Sequence, residues 1–282
     1  MSIFDGLGKF GLGDLQGTNL FEEEKKAEES SPEEKQKSSE DIEAEMLIDK
    51  KFKCPQCDKQ FTSKIVRSGK ARLLSQDIDL RPRHEGINTV KYDVIMCPHC
   101  GYAALSKFFN AVTSPQLKLI KENISLKFQP KEFDGKIYDY DQAMERYQMA
   151  LINAIIKKAK NSEKAFICLK SSWVTAGKIE SLDENENKEE IVKLKAQEAE
   201  LVKNAFEGFA KARSVESYPM CGMDEYTVDY LIAVLAYKNH QEDVAMRMLS
   251  SVITGKNANP RLKDKARDLK EEIVKEKKKK ES

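Results

Sequence analysis

Two cysteine pairs constrain this chain more than any other feature of its sequence. Cys54 and Cys57 form one Cys-x-x-Cys pair, and Cys97 and Cys100 form a second. Such a turn lets two thiolates converge on one ion, and structural zinc takes four donors of this kind at tetrahedral corners. The pairs therefore predict one structural zinc ion held by these four cysteines, in a module resembling a zinc ribbon. Four thiolates leave no open position for water, which argues against a zinc hydrolase.

The distance between the pairs is the unusual part of the motif. Thirty-nine residues separate Cys57 from Cys97, whereas about 15–20 is usual, so the insert must form structure of its own or loop outward. His84, inside the insert, is a competing ligand, and iron in the same four-sulfur geometry is the nearest rival to zinc. His99 is expected to face solvent. A redox role fits less well, because no βαβ pattern surrounds either pair.

The residues that follow the two pairs, and the two remaining cysteines, also carry information. Gly101 and Asp58 follow the two pairs at positions expected to need left-handed backbone, which Gly adopts freely and Asp tolerates. Cys168 lies among helix residues and is predicted to be a small buried hydrophobe. Cys221 lies in a turn, and a reactive thiol there has no visible base beside it. Cysteines without a recognisable leader favour a reducing cytosol, hence a cytoplasmic protein.

Six amphipathic stripes occupy the second half of the chain. Apolar residues recur there at three- and four-residue steps, which is typical of helices that bury one face. The stripes cover 140–158, 163–180, 188–213, 228–235, 244–252 and 260–280. Short connections between them predict an antiparallel helical array. The first stripe assigns Met144, Tyr147, Leu151 and Ile155 to the buried face.

The fold class follows from combining the stripes with two shorter runs. Residues 61–66 and 92–96 are rich in β-formers and lie beside the cysteine pairs. We therefore predict an α+β fold that is mostly α. The predicted units are a zinc-ribbon-like module, a connector and a helical domain, at 46–110, 111–138 and 139–275.

The two ends of the chain carry little that could form a core. Residues 1–21 are rich in Gly with scattered large apolar side chains, which suits a tail or a short docking segment. Residues 22–45 have a net charge of −7 and cannot offset the entropy of ordering. We predict that 1–45 is disordered and that 276–282 is a basic tail. No apolar run is long enough to span a bilayer.

Charge is distributed unevenly along a chain whose net charge is +1. Residues 50–101 contain eleven Lys or Arg against five Asp or Glu. Within this stretch Lys64, Arg67, Lys70 and Arg72 are candidates for contact with nucleic acid, since clustered basic side chains attract phosphate. The alternative is that these side chains only solvate a small module and meet the acidic segment before it.

Several motifs together resemble one bacterial family. The matching segments are Lys53-Cys54-Pro55-x-Cys57, Phe61-Thr62-Ser63-Lys64, Arg67-Ser68, the run from Tyr92 to Ala103, Tyr230-Leu231-Ile232, the run from Glu242 to Val252, and Asn257-Ala258-Asn259-Pro260. This set is similar to the family catalogued as domain of unknown function number 2225. The resemblance implies a zinc-ribbon-like module followed by helices similar to tetratricopeptide repeats, and it implies no enzyme activity.

The repeat pattern itself is only partly present. Small and apolar residues lie at suitable offsets, namely Ile232, Ala233, Ala236, Ala245 and Leu249. Asp229 occupies the position where a repeat has a tryptophan-like residue, His240 replaces the usual turn Gly, and Pro260 comes about three residues late. One unit is predicted, with a plain helical bundle as the alternative.

These observations favour an interaction protein. We expect a cytosolic zinc-binding scaffold whose helical array presents a concave surface to a protein or peptide. The alternative is a nucleic-acid-binding protein that uses the basic module. No Ser/His/Asp grouping, phosphate loop or open metal site is visible, so we predict no catalytic residue, no small-molecule substrate and no membrane partner.

Overall fold

The predicted α+β class, mostly α, is confirmed. A computed structural model describes residues 38–131, 133 and 135–281, with side chains described up to 279. Its elements, in chain order, are α1 Ser39–Glu45, β1 Leu47–Lys53, β2 Gln60–Val66, β3 Leu73–Gln76, β4 Pro82–His84, β5 Val94–Met96, β6 Ala103–Leu105, α2 Ser114–Ile120, α3 Tyr140–Ile156, α4 Asn161–Ser181, α5 Lys188–Val215, α6 Glu225–Lys238, α7 Glu242–Thr254 and α8 Pro260–Glu281. All six predicted helices are present as α3 to α8.

The strands form three separate antiparallel pairs within the described part of the chain. β1 pairs with β2, β3 with β4, and β5 with β6. The first pair runs in register from Leu47 opposite Val66 to Lys53 opposite Gln60. Each of the outer two pairs is therefore a hairpin whose connecting turn contains one of the cysteine pairs.

The predicted disordered segment is too long at its C-terminal end, because residues 39–45 form helix α1. The Ser38 hydroxyl accepts a hydrogen bond from the Asp41 amide and caps the helix. Glu43 is buried, and its carboxylate pairs with Lys91 Nζ at 2.7 Å and accepts from the Tyr92 hydroxyl at 2.7 Å. The high charge of this segment predicted disorder, because the partners of Glu43 lie far along the chain and are not visible in the local sequence. Residues 1–37 lie outside the described range, and α8 continues through most of the predicted basic tail.

Part of the predicted module shares a hydrophobic core with the helical domain. Val94, Met96, Ala103 and Leu105 from β5 and β6 are all buried in the same cluster as the helices. Residues from Ser38 onward accordingly form one compact unit. The predicted boundary between the module and the helical domain therefore separates two kinds of secondary structure and not two hydrophobic cores.

Helix α3 lies against β5 and β6, and its predicted buried face is correct only in part. Met144 and Tyr147 are buried as expected, but Ile155 is 51% exposed. The fully buried positions include small residues at helical spacing, Ala143 and Ala150. The buried stripe of α3 is therefore made partly of small side chains.

The insert between the cysteine pairs docks on the helices instead of looping outward. Glu180 on α4 receives both Arg81 and Arg83 from the β3–β4 hairpin, with N–O distances of 2.6 to 3.0 Å. On α6, Lys238 pairs with Asp79 at 2.6 Å. Burial of Arg81 and Asp79 makes these ion pairs part of the fold.

The last three helices show how the departures from the repeat pattern are accommodated. α6 contacts α7 and α8, and α7 contacts α8. Asp229 is fully buried on α6 and is held by Arg213 and Ser251. His240 has left-handed backbone, with φ of 58°. The likeness to tetratricopeptide repeats stays a prediction.

Two further observations bear on the predicted connector and on membrane association. The connector at 111–138 contains α2, whose N-terminus has a capping box between Thr113 and Gln116. Among the residues that the structure describes, no helix is both long and apolar enough to cross a bilayer.

Candidate metal centre

The first cysteine turn closes the β1–β2 hairpin. The Cys54 amide donates to the Lys59 carbonyl at 3.0 Å, and the Asp58 amide donates to the Cys54 carbonyl at 2.9 Å. Asp58 has φ of 58°, the left-handed conformation expected for it. The Gln56 amide points at Cys54 Sγ, 3.4 Å away. The turn thus brings Cys54 and Cys57 to one side of the hairpin tip.

The second turn repeats this geometry between β5 and β6. The Cys97 amide donates to the Tyr102 carbonyl at 2.8 Å, and the Gly101 amide donates to the Cys97 carbonyl at 3.1 Å. Gly101 has φ of 71°. Its carbonyl accepts from Asn153 Nδ2 on α3 at 2.9 Å, so the second turn is fixed to the helical part of the fold.

Gly101 is also required for space. A Cβ built on it would lie 2.5 Å from Cδ2 of Phe128, far inside van der Waals contact. Left-handed backbone and the aromatic ring therefore exclude other residues by two independent mechanisms.

The four predicted ligands meet at one point. Their sulfur atoms all lie within 4.8 Å of one another. Cys54 Sγ is 3.6 Å from Cys100 Sγ, and Cys57 Sγ is 3.7 Å from Cys97 Sγ. Four sulfurs at about 2.3 Å from a tetrahedral ion would lie about 3.8 Å apart. The donor set and its dimensions are compatible with one metal ion.

The electrostatics of the cluster point the same way. Cys54, Cys97 and Cys100 are buried, and buried like charges cannot all ionise without a counter-charge. Hydrogen bonds from the Cys100 and Cys54 thiols lower the pKa of Cys97, while the Cys54 and Cys97 sulfurs raise the pKa of Cys100. Four buried thiolates would need a divalent cation as their counter-charge.

An aromatic cluster forms the floor of the site. Phe109 contacts the rings of Phe52, Phe61 and Tyr102, with centroids 5.1 to 6.0 Å apart. The Tyr102 hydroxyl donates to the Phe109 carbonyl at 2.7 Å. These rings belong to the same hydrophobic cluster as Cys54, Cys97 and Cys100.

The two histidines considered as alternatives have other environments. His84 lies on β4, where its Nδ1 is 3.2 Å from Thr89 Oγ1, and it is not part of the sulfur cluster. His99 is half-buried and lines a cavity with Arg146, so the expectation that it faces solvent is wrong in part. The lining of the cavity includes residues of β2, of the second turn and of α3.

The predicted basic patch is largely paired within the fold. Lys64 contacts Asp49 at 3.1 Å, and Arg67 Nε donates to the Leu47 carbonyl at 3.1 Å. Arg72 lies 3.8 Å from the Glu85 carboxylate, where both side chains are mostly exposed. Lys70 is exposed on the turn between β2 and β3.

The two remaining cysteines behave as predicted. Cys168 is buried on α4 and Cys221 is half-buried. Burial raises the pKa of each thiol to about 11, so neither is a ready nucleophile at neutral pH.

Sequence reasoning missed two polar residues that position the site. Asn153 and Arg146 occupy the buried stripe of α3, although neither is apolar. Their helical spacing with Ala143, Ala150 and Ala154 would have predicted their burial. This stripe consists of small residues, whereas the prediction relied on large apolar side chains.

Comparison with known proteins gives one match. The sequence model of a family described as uncharacterized protein conserved in bacteria (DUF2225) matches residues 47–273. No curated protein and no solved structure matches the chain.

Proposed function

This chain belongs to the DUF2225 family, and we propose that it is a cytoplasmic, zinc-stabilised protein-interaction module without catalytic activity of its own. The observation that carries the zinc assignment is the set of four thiols, whose sulfurs lie within 4.8 Å of one another, with no fifth donor in the group among the residues that the structure describes. Thiolates select zinc, copper(I) or iron, and a closed tetrahedral set of four is typical of structural zinc.

The proposed role of the ion is to join two hairpins that share no sheet. The β1–β2 tip carries Cys54 and Cys57, and the β5–β6 tip is anchored to α3 through Asn153 and Gly101. The ion would therefore tie a more exposed hairpin tip to the anchored one. Binding energy of structural zinc becomes folding energy in such an arrangement.

Elemental analysis of the purified full chain tests the metal assignment. We expect one zinc per chain, and Cys97→Ser should lower the metal content by at least tenfold. Cys221→Ser is the matched control, because its sulfur lies outside the cluster and donates to the Ser162 carbonyl. Iron in place of zinc, or unchanged metal content in Cys97→Ser, would contradict the proposal.

Hydrogen exchange tests where the ion acts. Removal of the metal should increase exchange first at residues 52–61, while α4 and α6 stay protected, because these helices belong to the buried core. Equal loss of protection over the whole unit would show that the ion supports the entire fold and not the hairpin tip.

The proposed interaction surface centres on β3. Leu73 and Leu74 are 52% and 58% exposed, and all four residues of the strand are exposed. Within the described residues β3 pairs only with β4. A strand with an unpaired edge and adjacent leucines can accept an extended segment of a partner by strand addition. Lys70, which is exposed on the turn before β3, favours a partner with acidic residues.

Crosslinking in the native cell, followed by partner identification, tests this surface. The double substitution Leu73→Ser with Leu74→Ser should abolish capture, and Val192→Ser should not, although Val192 is 67% exposed. Loss of capture with Ile152→Ser and Ile155→Ser instead would place the partner on the helical array, as the sequence alone suggested.

The nucleic-acid alternative receives less support from the geometry. Lys64, Arg67 and Arg72 have partners in the fold, and phosphate contact would compete with these interactions. Binding that weakens steeply with salt in a mobility-shift assay would restore this alternative.

A further inference from the structure

Arg146 is a buried cation whose surroundings differ from those of the other buried basic residues. It is only 2% exposed. Its Nη2 donates to Ser63 Oγ at 2.9 Å and to the Val94 carbonyl at 2.7 Å. Its Nε is buried and has no hydrogen-bond partner in the described part of the chain. The guanidinium lies over the rings of Tyr138 and Phe133, at 4.3 and 5.2 Å.

Each of the other basic side chains that the structure describes as buried has a carboxylate partner. Lys91 pairs with Glu43, Lys157 with Glu163, and Arg81 with Glu180, at 2.7 to 3.0 Å. Arg146 has no such partner among the residues that the structure describes. Aromatic faces and neutral oxygens offset part of the desolvation of a cation, but they supply no counter-charge. Burial lowers the pKa of Arg146, yet an arginine stays charged in proteins.

A cavity of about 360 Å³ borders this cation. Its walls combine apolar and polar side chains: Gln60, Phe61, Thr62, Met96, Pro98, His99, Phe133 and Tyr138. Gln60 and Thr62 are exposed, so the cavity is reached from the surface. The side chains of Gln60, Thr62 and His99 add hydrogen-bond donors to those that Arg146 leaves unused.

We propose that this cavity binds a small oxyanion, a carboxylate or phosphate group, as the counter-ion of Arg146. The apolar walls would contact the body of an organic ligand, and the polar side chains would orient its charged group. Charge-assisted hydrogen bonds from a desolvated guanidinium are strong enough to make such binding specific.

Thermal unfolding of the full-length, metal-loaded protein tests the site. Phosphate, acetate and benzoate are each titrated against chloride at equal ionic strength. A saturable rise in Tm with at least one anion is expected, since a ligand that binds only the folded state stabilises it. The ranking of phosphate against the two carboxylates identifies the preferred group, and benzoate against acetate reports on the apolar walls.

Two variants assign the response to Arg146. Arg146→Met should lower the affinity for the anion at least tenfold, which is on the order of the loss of one charge-assisted hydrogen bond. Arg81→Met is the matched control, because it also removes a buried arginine but leaves the cavity intact. Thr62→Glu supplies a carboxylate from the cavity wall, so it should remove the anion response even if Arg146→Met fails to fold.

Two results would overturn the proposal. One is an anion response that persists at full strength in both Arg146→Met and Thr62→Glu, which would place the anion elsewhere. The other is the absence of any response in the unmodified protein.

Discussion

Replacing Gly101 by alanine should damage the second cysteine turn by two effects that can be separated. The first is backbone strain, because Gly101 has φ of 71° and left-handed backbone costs a non-Gly residue about 1–2 kcal/mol. Alanine also reduces the conformational entropy of the unfolded chain, and this offsets about 0.4–1 kcal/mol of the strain. The second effect is a steric clash, since the new Cβ would meet the Phe128 ring at 2.5 Å.

Gly69 provides the control for the strain alone. It has φ of 76°, and a Cβ built on it has nothing within 4 Å. Gly69→Ala should therefore lower the free energy of unfolding by about 1 kcal/mol or less. Overpacking adds about 1–3 kcal/mol in Gly101→Ala. The two variants should thus differ by roughly 2 kcal/mol, or about 4–8 °C in Tm.

Unfolding can be followed by the fluorescence of Trp173, the single tryptophan of the chain, which is buried on α4. Chelator competition then measures metal affinity, which should fall in Gly101→Ala and not in Gly69→Ala. Equal stability of the two variants would refute the role of Phe128. If the clash is real, Phe128→Ala should restore much of the difference in the Gly101→Ala background.

Three further predictions concern other parts of the fold. His240→Gly should raise the free energy of unfolding by at most about 1 kcal/mol in a denaturant titration, because relief of the strain of φ at 58° outweighs the added entropy of the unfolded chain. A clear loss of stability would show that the imidazole has a structural role. Arg213→Met should cost about 3 kcal/mol by thermal unfolding, since it leaves the fully buried Asp229 without its cation, and Asp229→Asn in the same background should recover part of that cost. Hydrogen bonds from Arg83, opposed in part by burial, lower the pKa of Glu180. The Glu180 carboxylate therefore stabilises the fold above its unfolded-state pKa, and this stabilisation is lost as the pH falls through its folded-state pKa. The difference in stability between the unmodified protein and Glu180→Gln should disappear in acid, and a difference that is constant with pH would contradict this.

Local patterns predicted the parts of this fold that depend on local physics. Paired cysteines two residues apart predict converging sulfurs, and three- and four-residue apolar steps predict α3 to α8. The orientation of α3 depends instead on what it faces. Ile155 satisfied the periodicity yet is half exposed, because the buried stripe of α3 includes the small residues Ala143, Ala150 and Ala154. Helix α1 was missed for a related reason, since Glu43 becomes a core residue only through Lys91.

Helix α3 connects the two proposed sites. Asn153 holds the second cysteine turn through the Gly101 carbonyl, and Arg146 borders the cavity. Seven residues separate them, or about 10.5 Å along a helix, so both lie on one buried stripe of a single rigid element. His99, inside the cysteine turn, lines the same cavity. A turn that loses its metal would therefore move a wall of the cavity, and the anion response should weaken in Cys97→Ser. A response of full strength in metal-free protein would show that α3 alone shapes the cavity and that the two sites are independent.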